Sequence, residues 1–192
     1  MKSAVSFLKA RKLQTRQQDF TDCGEACLVA ICRYYGLHVA ISQVRSLAGT
    51  DQQGTSIMGL LEASKKLGFD ARGVRGDRKS LFKIPKPALA HVVLGNGRHH
   101  YIVIYRVKRK FIQVMDPANG KLRRMNWSEF SEIWKGILLV LLPSESFAPG
   151  TKKMKVLPWF WRLLKPHYSI LIQAVAGSLL YTLLGFSTSV FI

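Results

Sequence analysis

The sequence predicts an α+β fold in which N-terminal helices pack on an antiparallel sheet, followed by the start of a transmembrane helical region. Three observations predict it. Apolar residues recur at helical spacing in three stretches between positions 23 and 68, each closed by a glycine. Beyond position 69 the pattern turns to short β-branched and aromatic runs between turn residues, and helices before strands is the order of an α+β domain. From His167 to Ile192 there is no Asp, Glu, Lys or Arg, a run longer than the about 20 residues that a membrane-crossing helix needs.

Composition narrows the classes of function. The chain has 192 residues, room for one domain of ordinary size and an appendage, and its 48% hydrophobic content can build a core. The net charge of +18 is scattered rather than blocked. Spaced Cys/His zinc ligands, a basic region with heptads and an aromatic RNA-binding strand are all missing from the sequence, so nucleic-acid binding is not expected. A basic surface beside an anionic cytoplasmic leaflet accounts for the charge. The cysteines, Cys23, Cys27 and Cys32, are odd in number and crowd one helix. They cannot frame disulfides, which argues for a reducing compartment, and Cys27 and Cys32 read as buried core thiols rather than metal ligands. The opening Met1–Ala10 has too short an apolar core for a secretory signal.

In chain order, residues 1–11 read as a basic tail. Asp22 is a candidate N-cap and Glu25 its capping-box partner for a helix from about 23 to 35, stopped at Gly36. Ser42 is a candidate cap for a short second helix anchored by Val44 and Leu47. Thr55 or Ser56 caps a third, in which Ile57, Leu60, Leu61 and Leu67 share a face before Gly68. Phe69–Val74 has strand character, Leu81–Ile84 is a short apolar piece, and Ala88–Leu94 reads as a buried strand turned at Gly95-Asn-Gly97. That Gly-x-Gly is no phosphate loop, because no Walker sequence surrounds it. Two more strands follow from 99 and 111. Asn119-Gly120 turns the chain again, Trp127–Trp134 is a short helix with Ser128 as candidate cap, and Ile137–Leu142 is an apolar strand ending at Pro143. Trp127, Phe130 and Trp134 read as core.

Cys23 stands at the first helical position, where unpaired N–H groups and the positive end of the helix dipole favour thiolate over thiol. A base for it lies downstream. Lys108-Arg-Lys110 reads as the turn of a hairpin, and folding about position 108 pairs Ile104 with Ile112, Ile102 with Val114, and His100 with Asp116. A slip of one residue would send Asp116 to the other face. Carboxylate, imidazole and helix-start cysteine are the parts of an activated nucleophile. The register selects His100 over its neighbour His99.

Gln17-x4-Asp22-Cys23-Gly24, His100-Tyr-Ile-Val-Ile and Asp116-Pro-Ala-Asn-Gly120 resemble the signature of peptidase family C39, the papain-like domain at the N-terminus of peptidase-containing ABC transporters that export bacteriocins. The similarity covers roughly residues 12–143, including Gly54-Thr-Ser, Pro87-Ala-Leu-Ala-His and the closing Phe130 to Val140 stretch. The resemblance implies a papain-like fold, with Cys23 as nucleophile, His100 as general base and Asp116 as its orienter. It implies that Gln17, selected over Gln18 by the motif spacing, donates to the oxyanion together with backbone N–H groups at Cys23. The implied substrate is the leader of a secreted peptide, cut after a Gly-Gly type pair, with the rest of the leader bound as a helix on an apolar groove. A degenerate domain that tethers secretion substrate without cutting is the alternative, against which the retained Gln17, Cys23, His100 and Asp116 speak.

Residues 144–166 read as a basic linker and an interfacial helix around Trp159–Lys165, and 167–192 as a first transmembrane helix. Lys152, Lys153, Lys155, Arg162 and Lys165 precede it, so the positive-inside bias sets the peptidase-like domain on the cytoplasmic side of the cytoplasmic membrane. By the resemblance, a complete exporter continues with further spans and an ATPase domain and works as a homodimer. No cofactor is expected in this chain, and ATP would enter only through such a nucleotide-binding domain.

Overall fold

The computed structural model describes residues 14–19, 21–51, 54–151, 161 and 164–190. The expected basic tail at 1–11 and most of the expected linker and interfacial helix, from 152 to 160 and at 162 and 163, lie outside the described residues. The chain divides into two units, residues 1–152 and 153–192.

The first unit begins with three helices: α1 (Cys23–Tyr34), α2 (Ile41–Ala48) and α3 (Ile57–Lys66), with the two-residue strand β1 (Leu37–His38) between the first two. Then come β2 (Phe69–Arg75), the single turn α4 (Ser80–Lys83), β3 (Ala88–Val93), β4 (His99–Val107), β5 (Ile112–Asp116), β6 (Lys121–Met125), α5 (Trp127–Ile133), β7 (Trp134–Pro143) and β8 (Gly150–Thr151). Six strands form one antiparallel sheet in the order β2-β7-β3-β4-β5-β6. β4 lies in its interior, which explains why its sequence from Tyr101 to Tyr105 is apolar at every position rather than alternating.

Alternation along the strands divides the core in two. Leu89, Val103, Met115, Leu139 and Leu141 face the helices α1, α2 and α3. Ala90, Ile102, Ile104, Val114 and Leu138 face Leu81, Trp127 and Phe130 of α4 and α5. The aromatics of α5 are core, as expected.

The helix stops follow the sequence. Gly36, Gly49 and Gly68 have φ of 84°, 65° and 98°, the left-handed region in which a Cβ is costly. The starts differ in detail. Ser56 does cap α3, its Oγ accepting from the Gly59 N–H at 3.0 Å. The cap of α2 is Ala40, not Ser42, and that of α5 is Asn126, whose Oδ1 accepts from the Glu129 N–H at 2.8 Å, not Ser128. At α1 the expected capping box does not form: Asp22 makes no side-chain cap bond, and Glu25 turns inward and is fully buried.

The chain expected to leave the domain at position 143 stays on it to Thr151. Phe147 packs on Phe69 with ring centroids 4.7 Å apart, Ser144 Oγ donates to the Gly68 carbonyl at 2.7 Å, and β8 pairs in parallel with β1.

In the second unit a 3₁₀ turn (Lys165–His167) leads into α6 (Tyr168–Val190). Lys165–Phe186 is a stretch of 22 residues with mean hydropathy 1.7, long and apolar enough to cross a membrane.

Candidate active site

Cys23 opens α1 and is 8% exposed. The next residue must be glycine for the helix start to sit where it does: a Cβ on Gly24 would lie 2.9 Å from Leu60 Cδ1 and 3.3 Å from the Tyr101 ring. α1 thereby seats directly on α3 and on β4, one residue from His100. Asp22, 2% exposed, forms an ion pair with Arg45 of α2 at 3.4 Å, and the same guanidinium donates to Thr21 Oγ1 at 2.7 Å. This second tie fixes the approach to the nucleophile helix.

His100 is 8% exposed at the start of β4, and its Nε2 lies 2.9 Å from Asp116 Oδ1. The Cys23 thiol is close enough to the ring to raise its affinity for a proton. With Nε2 engaged by the carboxylate, Nδ1 is the ring nitrogen left to face sulfur. Burial acts to lower the His100 pKa. The hydrogen bond to Asp116, the nearby Cys23 sulfur and the negative charge of both groups outweigh it and leave His100 pushed up to about 9. For Asp116, burial acts upward and is overcome by the hydrogen bonds from His100 and from the Ala118 N–H and by the nearby positive charge of His100 and Arg123, leaving the carboxyl below its usual range.

The route by which these two residues meet corrects the expected hairpin. Val107 pairs with Ile112 and Arg106 with Gln113, and the register then shifts so that Ile104 pairs with Val114 and Val103 with Met115. Tyr105 is the extra residue of a β-bulge. Below the bulge even positions of β4 face odd positions of β5; above it even faces even. Continued one step, the upper register sets position 102 opposite Asp116. His100 is thus a diagonal neighbour of Asp116 on the same face, not its direct partner, within reach of a long side chain. Without the bulge Asp116 would point to the opposite face.

The turn after β5 holds the carboxylate still. Asp116 Oδ1 also accepts the Ala118 N–H at 3.0 Å, and the Gly120 N–H returns to the Asp116 carbonyl at 2.9 Å. Gly120 has φ of 64°, and a Cβ there would lie 3.1 Å from Arg16 Cβ. That close approach admits the segment before α1, and the Gln17 N–H donates to the Pro117 carbonyl at 2.9 Å. Gln17 therefore sits beside the Asp116 turn, next to a cavity of about 200 Å³ lined by Arg16, Gln18, Asp19 and Ala118. Its Oε1 is buried without a hydrogen-bond partner among the described residues.

The neighbours behave differently. His99 is exposed, and its Nδ1 lies 3.1 Å from His91 Nε2 with the two rings stacked. Cys27 is fully buried, donates to the Tyr101 carbonyl at 3.3 Å, and has its thiol pKa raised well above the ordinary value by burial and by the charges of Cys23, Asp116 and Glu25. It is a core thiol, as is the fully buried Cys32.

Four residues support this cluster in a way the sequence did not indicate, Glu25 and Thr55 reading there as helix-capping residues and Thr50 and Tyr101 carrying no such role. Glu25 accepts the hydroxyls of Thr50 and Thr55, and Tyr101 Oη donates to the Thr55 carbonyl at 3.1 Å. The available signal was a Glu on the apolar side of a helix whose neighbours are all core residues.

Comparisons with known proteins give the family of the chain. The Peptidase C39 family profile matches residues 11–146. The chain is 40% identical over 158 residues to the lactococcin-G-processing and transport ATP-binding protein LagD of Lactococcus lactis subsp. lactis, covering 81% of this chain and 22% of that protein. It is 31% identical over 173 residues to the transport/processing ATP-binding protein ComA of Streptococcus pneumoniae, covering 88% and 24%. The chain thus spans less than a third of the length of these relatives. Among solved structures, the peptidase domain of Streptococcus ComA, described as a bi-functional ABC transporter involved in quorum sensing, superposes with a TM-score of 0.65 at 33% identity, over 68% of this chain and 98% of that one. A double glycine motif protease from an AMS/PCAT transporter, in complex with the leader peptide, gives 0.63 at 28% identity, over 68% and 91%. A helix-borne cysteine and a sheet-borne histidine, joined by these matches along most of the first unit, make the chain a member of the peptidase C39 family.

Proposed function

We propose that this chain is a cysteine endopeptidase that removes the leader of a bacteriocin-like peptide after a double-glycine site, as the N-terminal part of a homodimeric peptide-exporting ABC transporter. The observation that carries the reading is the 2.9 Å contact of His100 Nε2 with Asp116 Oδ1, on a ring whose pKa the nearby Cys23 raises.

The chemistry follows from that placement. His100, pushed up to about 9, holds the thiol proton at neutral pH as an imidazolium–thiolate pair, and the Cys23 thiolate attacks the scissile carbonyl carbon to give a tetrahedral oxyanion. N–H groups at the start of α1 and the Gln17 side-chain amide stabilise that oxygen, and losing one such donor typically costs about 10²–10³ in turnover. As the C–N bond breaks, His100 delivers its proton to the leaving amine. Water, deprotonated by the same ring, then hydrolyses the thioester and restores the thiol. Asp116 holds the ring with Nε2 turned away from sulfur and stabilises the imidazolium. A groove of about 450 Å³ along β2 and β7, with Val74, Ile84, Leu138, Val140 and Leu142 in its lining, offers apolar surface of the kind a helical leader segment needs. The apolar helix at Lys165–Phe186 supports attachment to the membrane, and the basic residues before it favour a cytoplasmic peptidase domain.

The test is cleavage of a peptide with a Gly-Gly pair at the end of a helical leader. Cys23→Ala and His100→Ala abolish it, while His99→Ala retains most of it. A dead His99→Ala variant beside an active His100→Ala one would reassign the base, and binding without cleavage by the wild-type chain would leave a docking domain.

A further inference from the structure

Glu25 is a buried carboxylate that the acyl-transfer chemistry does not use. It lies in the first turn of α1, two residues after Cys23, and is 0% exposed. Its Oε1 accepts hydrogen bonds from both Thr50 and Thr55, whose hydroxyl oxygens are 2.8 Å apart. From Thr55 the connection continues to β4, because the Thr55 carbonyl accepts the Tyr101 hydroxyl at 3.1 Å and Tyr101 directly follows His100. The circuit returns to α1 through the Cys27 thiol, which donates to the Tyr101 carbonyl at 3.3 Å one helical turn after Cys23. The nucleophile's helix and the base's strand are therefore tied by a closed loop of polar contacts, with Gly24 admitting the Tyr101 ring at its centre.

Stability alone does not account for this group. Taking a carboxylate out of water is costly, and an apolar side chain of similar volume is often as stable or more so. Among the described residues Glu25 Oε2 has no hydrogen-bond partner, which adds to that cost. What the carboxylate supplies is direction: one oxygen, two hydroxyls, and a fixed distance from the first turn of α1 to the strand beside it.

We propose that Glu25 is a positioning residue, which through Thr55 and Tyr101 fixes the first turn of α1 against the start of β4 and so holds Cys23 facing His100. The proposal rests on the cysteine-peptidase reading of the site, and its test does not need a cleavable substrate. In the full chain in detergent, the rate of iodoacetamide alkylation at Cys23, located by peptide mapping, is followed across roughly pH 5–9 beside the melting temperature. Glu25→Leu lowers the rate at neutral pH by about 10- to 100-fold, towards the His100→Ala level, with the melting temperature unchanged or raised. Glu25→Gln keeps an oxygen able to accept both hydroxyls and stays within about threefold of wild type. Tyr101→Phe slows the wild type but adds nothing in the Glu25→Leu background, since both break one chain of contacts. Wild-type reactivity in Glu25→Leu, full multiplication of the two losses, or a fall in melting temperature shared by Glu25→Leu and Glu25→Gln would overturn the proposal. If instead alkylation of wild-type Cys23 is indifferent to His100→Ala, the peptidase reading fails first and the proposal with it.

Discussion

His100 Nε2 and Asp116 Oδ1 stand 2.9 Å apart as diagonal neighbours on β4 and β5, and the bulge at Tyr105 is what turns both to one face. The contact fixes the ring's orientation and raises its basicity together, so the two effects separate by substitution.

Asp116→Ala removes both and should lower kcat/KM for a Gly-Gly peptide by about 10²-fold or more. Asp116→Asn keeps an oxygen to accept from Nε2 but loses the negative charge. It should retain more activity than the alanine variant, with the alkaline limb of its pH profile moved to lower pH, because the charge that helps to hold His100 up is gone. An alkaline limb that stays in place would show that Asp116 does not set the imidazole's affinity for its proton.

The pH dependence of stability has a definite sign. His100 is raised in the folded chain to about 9 from an ordinary value of 6.5. Its contribution is therefore fully present below about pH 6.5 and is lost as pH rises through about 9. Asp116 is lowered, so its contribution is present above the ordinary carboxylate range and lost as pH falls through its depressed value. Urea midpoints should fall between pH 6.5 and 9 more steeply in wild type than in His100→Gln, and equal slopes would contradict the assignment.

Gly24→Ala should destabilise the fold by about 1–3 kcal/mol, since its Cβ would stand 2.9 Å from Leu60 Cδ1. Combined with Leu60→Val the loss should be smaller than the sum of the two, as measured by urea unfolding.

Gly120→Ala places a side chain in the left-handed region at a cost of about 1–2 kcal/mol, and its Cβ would press on Arg16. The segment carrying Gln17 should loosen from the Pro117 carbonyl. Trypsin should then cut faster after Arg16, and kcat should fall more than the midpoint of unfolding. Unchanged cleavage at Arg16 would mean that the turn does not anchor that segment.

Much of the fold is legible because it is local. Helical spacing, the glycine stops at Gly36, Gly49 and Gly68 and the apolar run from Tyr101 to Tyr105 each state their own conformation. Caps were less legible: Ser42 and Ser128 are good capping residues, yet Ala40 and Asn126 hold those positions, because where a helix starts depends on how its apolar face meets the core. Glu25 misled for the same reason. Asp22-Cys-Gly-Glu25 has the spacing of a capping box, but packing of α1 between α3 and β4 leaves the glutamate inside, where threonines from another loop compete for it.

By itself, then, the sequence determined the order of helices and strands, a cysteine at a helix start, a histidine ahead of an apolar strand and an Asp-Pro turn after its partner, since each follows from residue periodicity and turn chemistry within a few positions. Only the tertiary structure decided the bulge that gives His100 and Asp116 a common face, the approach of Arg16 to Gly120 and the burial of Glu25. Those depend on which distant segments come into contact, and no local pattern encodes the parity of a strand pair or the partners of a buried charge.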